Sequence, residues 1–400
     1  MDRGRRFALC YRLPATGYRL VTSVAMKVYD LQWFTTFGMG YDEAAAALRA
    51  DGVDLVLTQN RIDPLPGSGV DQSAYLADAT GRIGAYDDRA WVEALRRAGL
   101  AVEQTTATFF DPAALAVFPN ARPVNAKGEP DAGFAWYVGV CPTHEGYLDW
   151  KIARLRRVVE ELAPAGLFLQ FCRYPGFWEN WTPDYRFSDA DSFCFCDRCR
   201  TRFAGDEGIE LPPGDVAGQA RTILTEHGDA WTRWRCARMV EAIGRIADGV
   251  EAESRGLRIT LNTLPFPSSD FGGRDVRREV AAQDLPLLAG RVDRFELMTY
   301  LQILARPVEW VATAVADARR GLPTDREIVT TLQVAPLYTE GVHAGRGRVP
   351  AISADDLAAA ARQALDAGVD GLVFYHWTDL LEDEARGGSK RAVLREIGRG

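Results

Sequence analysis

The residues able to do chemistry crowd into one stretch, Gly166 to Phe203. It opens with Gly166–Tyr174, a short apolar run with a polar end that reads as a buried strand. Pro175-Gly176 breaks the strand. Glu179 then stands between Trp178 and Trp181, and Cys194, Cys196 and Cys199 follow. Glu179 is the first candidate for an acid, because flanking tryptophans would strip water from its carboxyl and raise its pKa towards neutrality. Glycoside cleavage uses two carboxyl groups, one of which protonates the leaving oxygen. Glu296, in the apolar run Phe295–Tyr300, is the preferred partner. A carboxylate buried there would need a counter-charge, which Lys27 or Arg173 could supply. Glu340 and Asp379 are alternatives, and Asp30 is a weaker one.

Nine aromatic side chains fall between Phe171 and Phe195, well above the 10% aromatic content of the whole chain. Flat aromatic faces suit the apolar faces of sugar rings. Trp178 and Trp181 are the candidates for that role, whereas Phe193 and Phe195 read as loop packing. The three cysteines offer three thiolates from one tight loop, a set that a fourth ligand would complete as a tetrahedral zinc site. Cys141, in Val140–His144, leads for the fourth position, with His144 and Cys236 as rivals. The spacing favours a metal over disulfides in a cytosolic chain. Four protein ligands would leave no open position, so the zinc would staple loops rather than catalyse. Cys10 and Cys172 have no evident partner, and Cys172 reads as strand core.

These residues need a scaffold, and the chain supplies a repeated one. Strand candidates at 21–30, 52–60, 100–110, 166–174, 256–262, 291–300, 327–333 and 370–377 alternate with helical patterns. Helices are predicted over 42–50, 87–98, 148–162, 229–254, 276–288, 307–320 and from Ser353 to near Gly368. Pro307 suits a first helical turn, and Ser353 with Asp356 makes a loose capping box. Eight near-continuous apolar strands alternating with helices predict an α/β fold, a (β/α)8 TIM barrel. A doubly wound open sheet is the alternative, but no Gly-x-Gly-x-x-Gly opens a helix after the first strand. The expected organisation is one domain over 1–400, with a cysteine-bearing insertion at about 175–227 after the fourth strand.

In such a barrel the active site lies where strands end and βα loops begin. The strand ends here are polar: Lys27, Asn60, Arg173, Asn262, Tyr300, Gln333 and His376, with Trp377 beside the last. Together they suit a ligand rich in hydroxyl groups.

Cys141 before the third helix, followed by Cys194, Cys196, Cys199 and Phe203, resembles the pattern of glycoside hydrolase family 42, the zinc-bearing β-galactosidases. Phe168–Pro175 and Ser192–Cys196 also look like the hypothetical glycosyl hydrolase barrels, which often carry an acid where this chain has Gln170. The resemblance implies a barrel, a saccharide substrate and zinc held by the four cysteines. It departs at the catalytic pair. Family 42 ends strand four with Asn-Glu, where this chain has Glu179-Asn180 further into the loop. It ends strand seven with a nucleophilic Glu, where this chain has Gln333.

A net charge of −8 leaves no basic footprint for nucleic acid. The first thirty residues lack a signal-like apolar core, and no run is long enough to span a bilayer, so a cytoplasmic protein is expected. No Gly-x-Ser-x-Gly elbow, phosphate loop or His-Glu-x-x-His is present. The expected function is a glycosidase acting on a small saccharide or glycoside, with self-association into a homo-oligomer left open. A carbohydrate-binding barrel without turnover is the alternative, motivated by the amides Gln170 and Gln333. A barrel recruited to other chemistry on a polyhydroxylated metabolite is the third.

Overall fold

A computed structural model describes residues 23–66, 84–133, 137–251, 253–254, 256–341 and 343–398. Cys10 and the start of the first predicted strand lie outside the described residues. Eight parallel strands close into a barrel in chain order: β1 (Val24–Val28), β2 (Leu55–Thr58), β3 (Ala101–Ala107), β4 (Gly166–Gln170), β5 (Arg258–Thr263), β6 (Arg294–Leu297), β7 (Glu327–Gln333) and β8 (Gly371–Tyr375). The ring shuts where β1 pairs with β8, Val24 opposite Leu372. Helices cover the outer faces, so the strands are buried on both sides; β1, β2 and β4 carry apolar runs, whereas β6, Arg294-Phe-Glu-Leu297, alternates. The structure is therefore the (β/α)8 barrel that the repeated pattern predicts.

The barrel interior is polar at both ends. Arg294 on β6 reaches Glu103 on β3 at 3.2 Å, and Lys27 on β1 reaches Glu296 on β6 at 2.8 Å. Neither pair joins neighbouring strands, so each crosses the interior. Ala25, Leu57, Phe168, Val329 and Val373 form a small apolar cluster separate from the outer core.

Local signals set most helix ends. The Asp87 side chain caps Asp88–Arg97, and Ser353 with Asp356 forms the expected box on Ala354–Asp366. The continuous helix expected over 276–288 is instead two short ones, Val276–Glu279 and Leu285–Leu288. Ala282 between them has φ of +59°, and the buried Gln283 side chain bonds Leu264 N, Cys172 O and Asn262 O. Those bonds tie the segment to the strand ends and outweigh helix propensity there. Six α-helices among the described residues had no predicted counterpart: Gln32–Thr35 after β1, Ala114–Val117 after β3, Asp197–Glu207, which carries Cys199, Val216–Glu226 beyond it, and Trp377–Ala385 and Lys390–Ile397 after β8.

Candidate active site

A cavity of about 270 Å³ opens at the carboxyl end of the strands, near the lower end of small-molecule sites, roughly 300–1,000 Å³. Strands β1, β4, β5 and β8 each send a polar side chain to it: Lys27, Gln170, Asn262 and Tyr375. A larger groove of about 570 Å³ lies beside the Ala354–Asp366 helix, lined mainly by groups such as Leu301, Val349 and Ile352. The smaller cavity holds the convergent titratable groups, which makes it the candidate active site.

Glu179 sits on the short 3-10 turn Trp178–Asn180 and lines this cavity. The Tyr137 hydroxyl donates to its Oε2 at 3.3 Å, and Arg173 donates in turn to that hydroxyl. Lost hydration pushes the carboxyl up to about 7, against the opposing pull of Arg173, its hydrogen bonds and Arg348. Trp178 closes one side, its ring 5.8 Å from that of Tyr300. Trp181 does not line the cavity: it is buried against Phe187 at 4.8 Å and Phe266 at 5.7 Å. One residue of the flanking pair faces the ligand space and the other packs the loop, because the turn between them rotates them apart.

Glu296 lies beneath the cavity rather than across it from Glu179. Lys27 Nζ donates to Oε1 at 2.8 Å, Asn262 Nδ2 donates to Oε2 at 2.7 Å, and the Thr331 hydroxyl also donates to Oε1. Both oxygens are taken and the residue is fully buried. Lys27 Nζ also donates to the Tyr300 hydroxyl at 3.2 Å and stands within 5.3–5.7 Å of four ring centroids, those of Tyr29, Phe168, Tyr300 and Tyr375. Burial pulls the Lys27 ammonium below its usual range, and Glu296 opposes that. The pair is a polar floor under aromatic walls.

The second carboxylate at the cavity is Asp30, just beyond β1. The Thr378 hydroxyl donates to its Oδ2 at 2.7 Å and Gln32 N to its Oδ1 at 2.9 Å. His376 lines the cavity beside it, with Nδ1 3.6 Å from Asp30 and Nε2 3.6 Å from Asp379. Burial raises the Asp379 carboxyl above its usual range.

Three other expected ligand groups sit elsewhere. Trp377 turns into the core, 6.1 Å from Trp33 between ring centroids, because it begins a helix whose inner face it occupies. Asn60 caps its own loop, accepting from Ile62 N and Asp63 N and donating to Gln104. Gln333 bonds Gln302, Ala335 O and Ile303 N, joining the loops after β6 and β7. Glu340 is exposed. Conversely, Tyr29, Tyr137, Tyr338 and Tyr375 line the cavity without having been singled out. Tyr29 was readable as two residues beyond Lys27, on the same face of an extended chain. Tyr137 and Tyr338 arrive from loops, where no periodicity could place them.

The four cysteines converge. The Sγ atoms of Cys141, Cys194, Cys196 and Cys199 all lie within 4.8 Å of one another, with Cys141 3.5 Å from Cys199 and 3.9 Å from Cys196. Thiolates about 2.3 Å from a central ion in tetrahedral array stand roughly 3.8 Å apart, so the group could hold a metal ion. The rivals are otherwise engaged. His144 caps a helix through Nδ1, accepting from Tyr147 N at 3.0 Å, and its Nε2 is 2.9 Å from Asn120 Oδ1. Cys236 lies against Arg278 O. Cys172 is buried, its thiol pushed up to about 12.

No protein-family model and no curated protein sequence matches this chain. Solved structures do. The glycoside hydrolase domain of PgaB from Bordetella bronchiseptica superposes with a TM-score of 0.64 at 16% identity, covering 94% of this chain and 98% of that one. A β-galactosidase from the haloarchaeon Halorubrum lacusprofundi gives 0.63 at 16% identity, covering 94% of this chain and 57% of that one. Gan42B, a GH42 β-galactosidase from G. stearothermophilus, gives 0.59 at 12% identity over 94% of this chain and 57% of that one. The chain thus spans a little over half the length of those β-galactosidases. The molecule is a (β/α)8 barrel similar in fold to these glycoside hydrolases. Among the described residues, no helix is long and apolar enough to cross a membrane.

Proposed function

We propose that this barrel acts on a saccharide or glycoside, with Glu179 as the general acid. The observation that carries this reading is the carboxyl of Glu179, held near neutrality at the mouth of a glycoside-hydrolase-like barrel between Trp178 and Tyr137. A group that is part protonated at pH 7 can give its proton to a leaving glycosidic oxygen and take one back. Asp30 is the partner, in place of Glu296, because it is the other cavity carboxylate and keeps its place through Thr378. Both carboxyl groups line the one cavity, Asp30 from just beyond β1 and Glu179 from the loop after β4. In the inverting course proposed here, Asp30 deprotonates a water for attack on the anomeric carbon while Glu179 protonates the leaving oxygen.

Lys27, Asn262 and Glu296 hold the floor, Tyr300, Trp178 and Arg173 the walls, and His376 the Asp30 side. The four cysteines fit zinc as a structural ion, since all four positions around it would be protein sulfur. It would tie the loop after β4 to the segment before the helix at Glu145–Leu162.

A panel of aryl glycosides with anomer-resolved NMR of the product tests the reading. Release of the opposite anomer, lost in Glu179→Gln and in Asp30→Asn while sugar binding persists, is the expected result. Saturable sugar binding with no turnover on any glycoside would instead assign a binding barrel. Gln170 at the end of β4 favours that second reading, because an amide there cannot transfer a proton.

A further inference from the structure

Arg173 is buried to 2% exposure and lines the cavity. Its Nη1 donates to Tyr174 O at 3.3 Å and Gly176 O at 2.9 Å, and its Nη2 donates to the Tyr137 hydroxyl. Its Nε has no acceptor among the described residues. The guanidinium rests 4.5 Å above the Phe110 ring, and its field acts on Glu179 and Asp131, but no described carboxylate forms an ion pair with it. A buried cation without a counter-ion is costly. Lys27, the cavity's other strong cation, is already matched by Glu296 at 2.8 Å. Arg173 is the charge left over.

Gln170, three residues back on the same strand end, repeats the pattern. It is 6% exposed, lines the cavity, and its Nε2 has no acceptor among the described residues. Both residues line the cavity and hold an N–H donor without an acceptor among the described residues, one of them charged. A hydroxyl could satisfy a donor but would leave the charge unmatched. A planar carboxylate does both, since each of its oxygens can accept from a separate N–H.

We propose that the saccharide recognised here is acidic, a uronate whose carboxylate is held at the Arg173 and Gln170 wall. This rests on the saccharide reading above and adds the substrate class. The glycosidic oxygen then lies towards Glu179, which reaches the same Tyr137 hydroxyl from the other side.

Calorimetric titration of the full chain with methyl glucuronide and methyl galacturonide, each beside the neutral methyl glycoside of the same configuration, tests this. The acid form should bind tighter by roughly ten-fold or more, the worth of one charge-assisted hydrogen bond. Arg173→Gln should erase the preference. Because Arg173 also braces two loop carbonyls, Gln170→Met serves as the second variant and should cut the preference by about three-fold. Equal binding, or tighter binding of the neutral sugar, overturns the uronate assignment and leaves the saccharide reading standing. Tighter binding of a sulfated sugar than of the uronate also overturns the carboxylate. Binding of neither acidic nor neutral sugar removes both readings together.

Discussion

Lys27 and Glu296 meet at 2.8 Å across the barrel, from β1 to β6, with both side chains essentially buried. Asn262 and Thr331 complete the carboxylate, and four aromatic rings surround the ammonium. Removing one partner strands the other charge without water. Lys27→Met should therefore destabilise the fold by about 3–5 kcal/mol, while Lys27→Met with Glu296→Leu should recover much of that. Urea denaturation of the native chain, the double variant and both single variants, Glu296→Leu included, measures the coupling. A double-variant loss equal to the sum of the two single losses would show that the pair is not an energetic unit.

Glu179 predicts the direction of the pH response. Its carboxyl is raised to about 7, chiefly by lost hydration. A general acid works protonated, so turnover should fall as pH rises through about 7. Glu179→Gln should cost roughly 10²–10⁴ in rate. The Tyr137 hydroxyl stabilises the charged carboxylate and so lowers the pKa. Tyr137→Phe should move the alkaline limb to higher pH, and a limb that stays put would separate Tyr137 from the acid. The stability sign follows the same shift. A carboxyl raised above its unfolded value favours the folded state most at low pH, and that contribution is lost as pH rises through 7. Thermal melts from pH 5 to 8 should show this slope in the native chain and a shallower one in Glu179→Gln.

How much was legible follows from which signals are local. The eight strands were readable because parallel strands buried on both faces are rich in apolar residues, and the cap at Asp87 and the box at Ser353 marked helix starts. Glu179, Lys27, Arg173, Asn262, Tyr300 and His376 were readable as polar strand ends or loop groups, and the cavity lies among or directly above them. Trp377 and Trp181 were misplaced because strand-end position does not fix which way a side chain turns once a helix or a 3-10 turn intervenes. The break at Ala282 was invisible because the Gln283 bonds that impose it reach residues distant in sequence. Asp30 gained weight only when Glu296 proved to be engaged by Lys27.

The cysteine group makes a separate prediction. Four Sγ atoms already within 4.8 Å of one another should retain one zinc ion per chain after extensive dialysis, measured by plasma mass spectrometry. Cys199→Ser should lower the metal content and the melting temperature together, since structural zinc contributes folding free energy. Glycosidase activity, where present, should fall only as the loops loosen. If added zinc restored turnover before it restored the melting temperature, the ion would be catalytic and the structural assignment would be wrong.

Trp178 and Trp181 are close in sequence and should respond oppositely to truncation. Trp178 lines the cavity against Tyr300, whereas Trp181 is packed among Tyr185, Phe187 and Phe266. Trp181→Ala removes a fully buried ring and should cost about 3–5 kcal/mol of stability. Trp181→Phe keeps most of the volume and should leave sugar affinity within about two-fold. Trp178→Phe should also fold, because Tyr300 still packs against a ring there. It should nonetheless weaken sugar binding and lower the Glu179 pKa, since a smaller ring admits water to the carboxyl. The alkaline limb would then move to lower pH, opposite to the shift expected for Tyr137→Phe. Opposed shifts from two neighbours of one carboxyl would tie the pH profile to Glu179 itself, whereas shifts in the same direction would place the titrating group elsewhere.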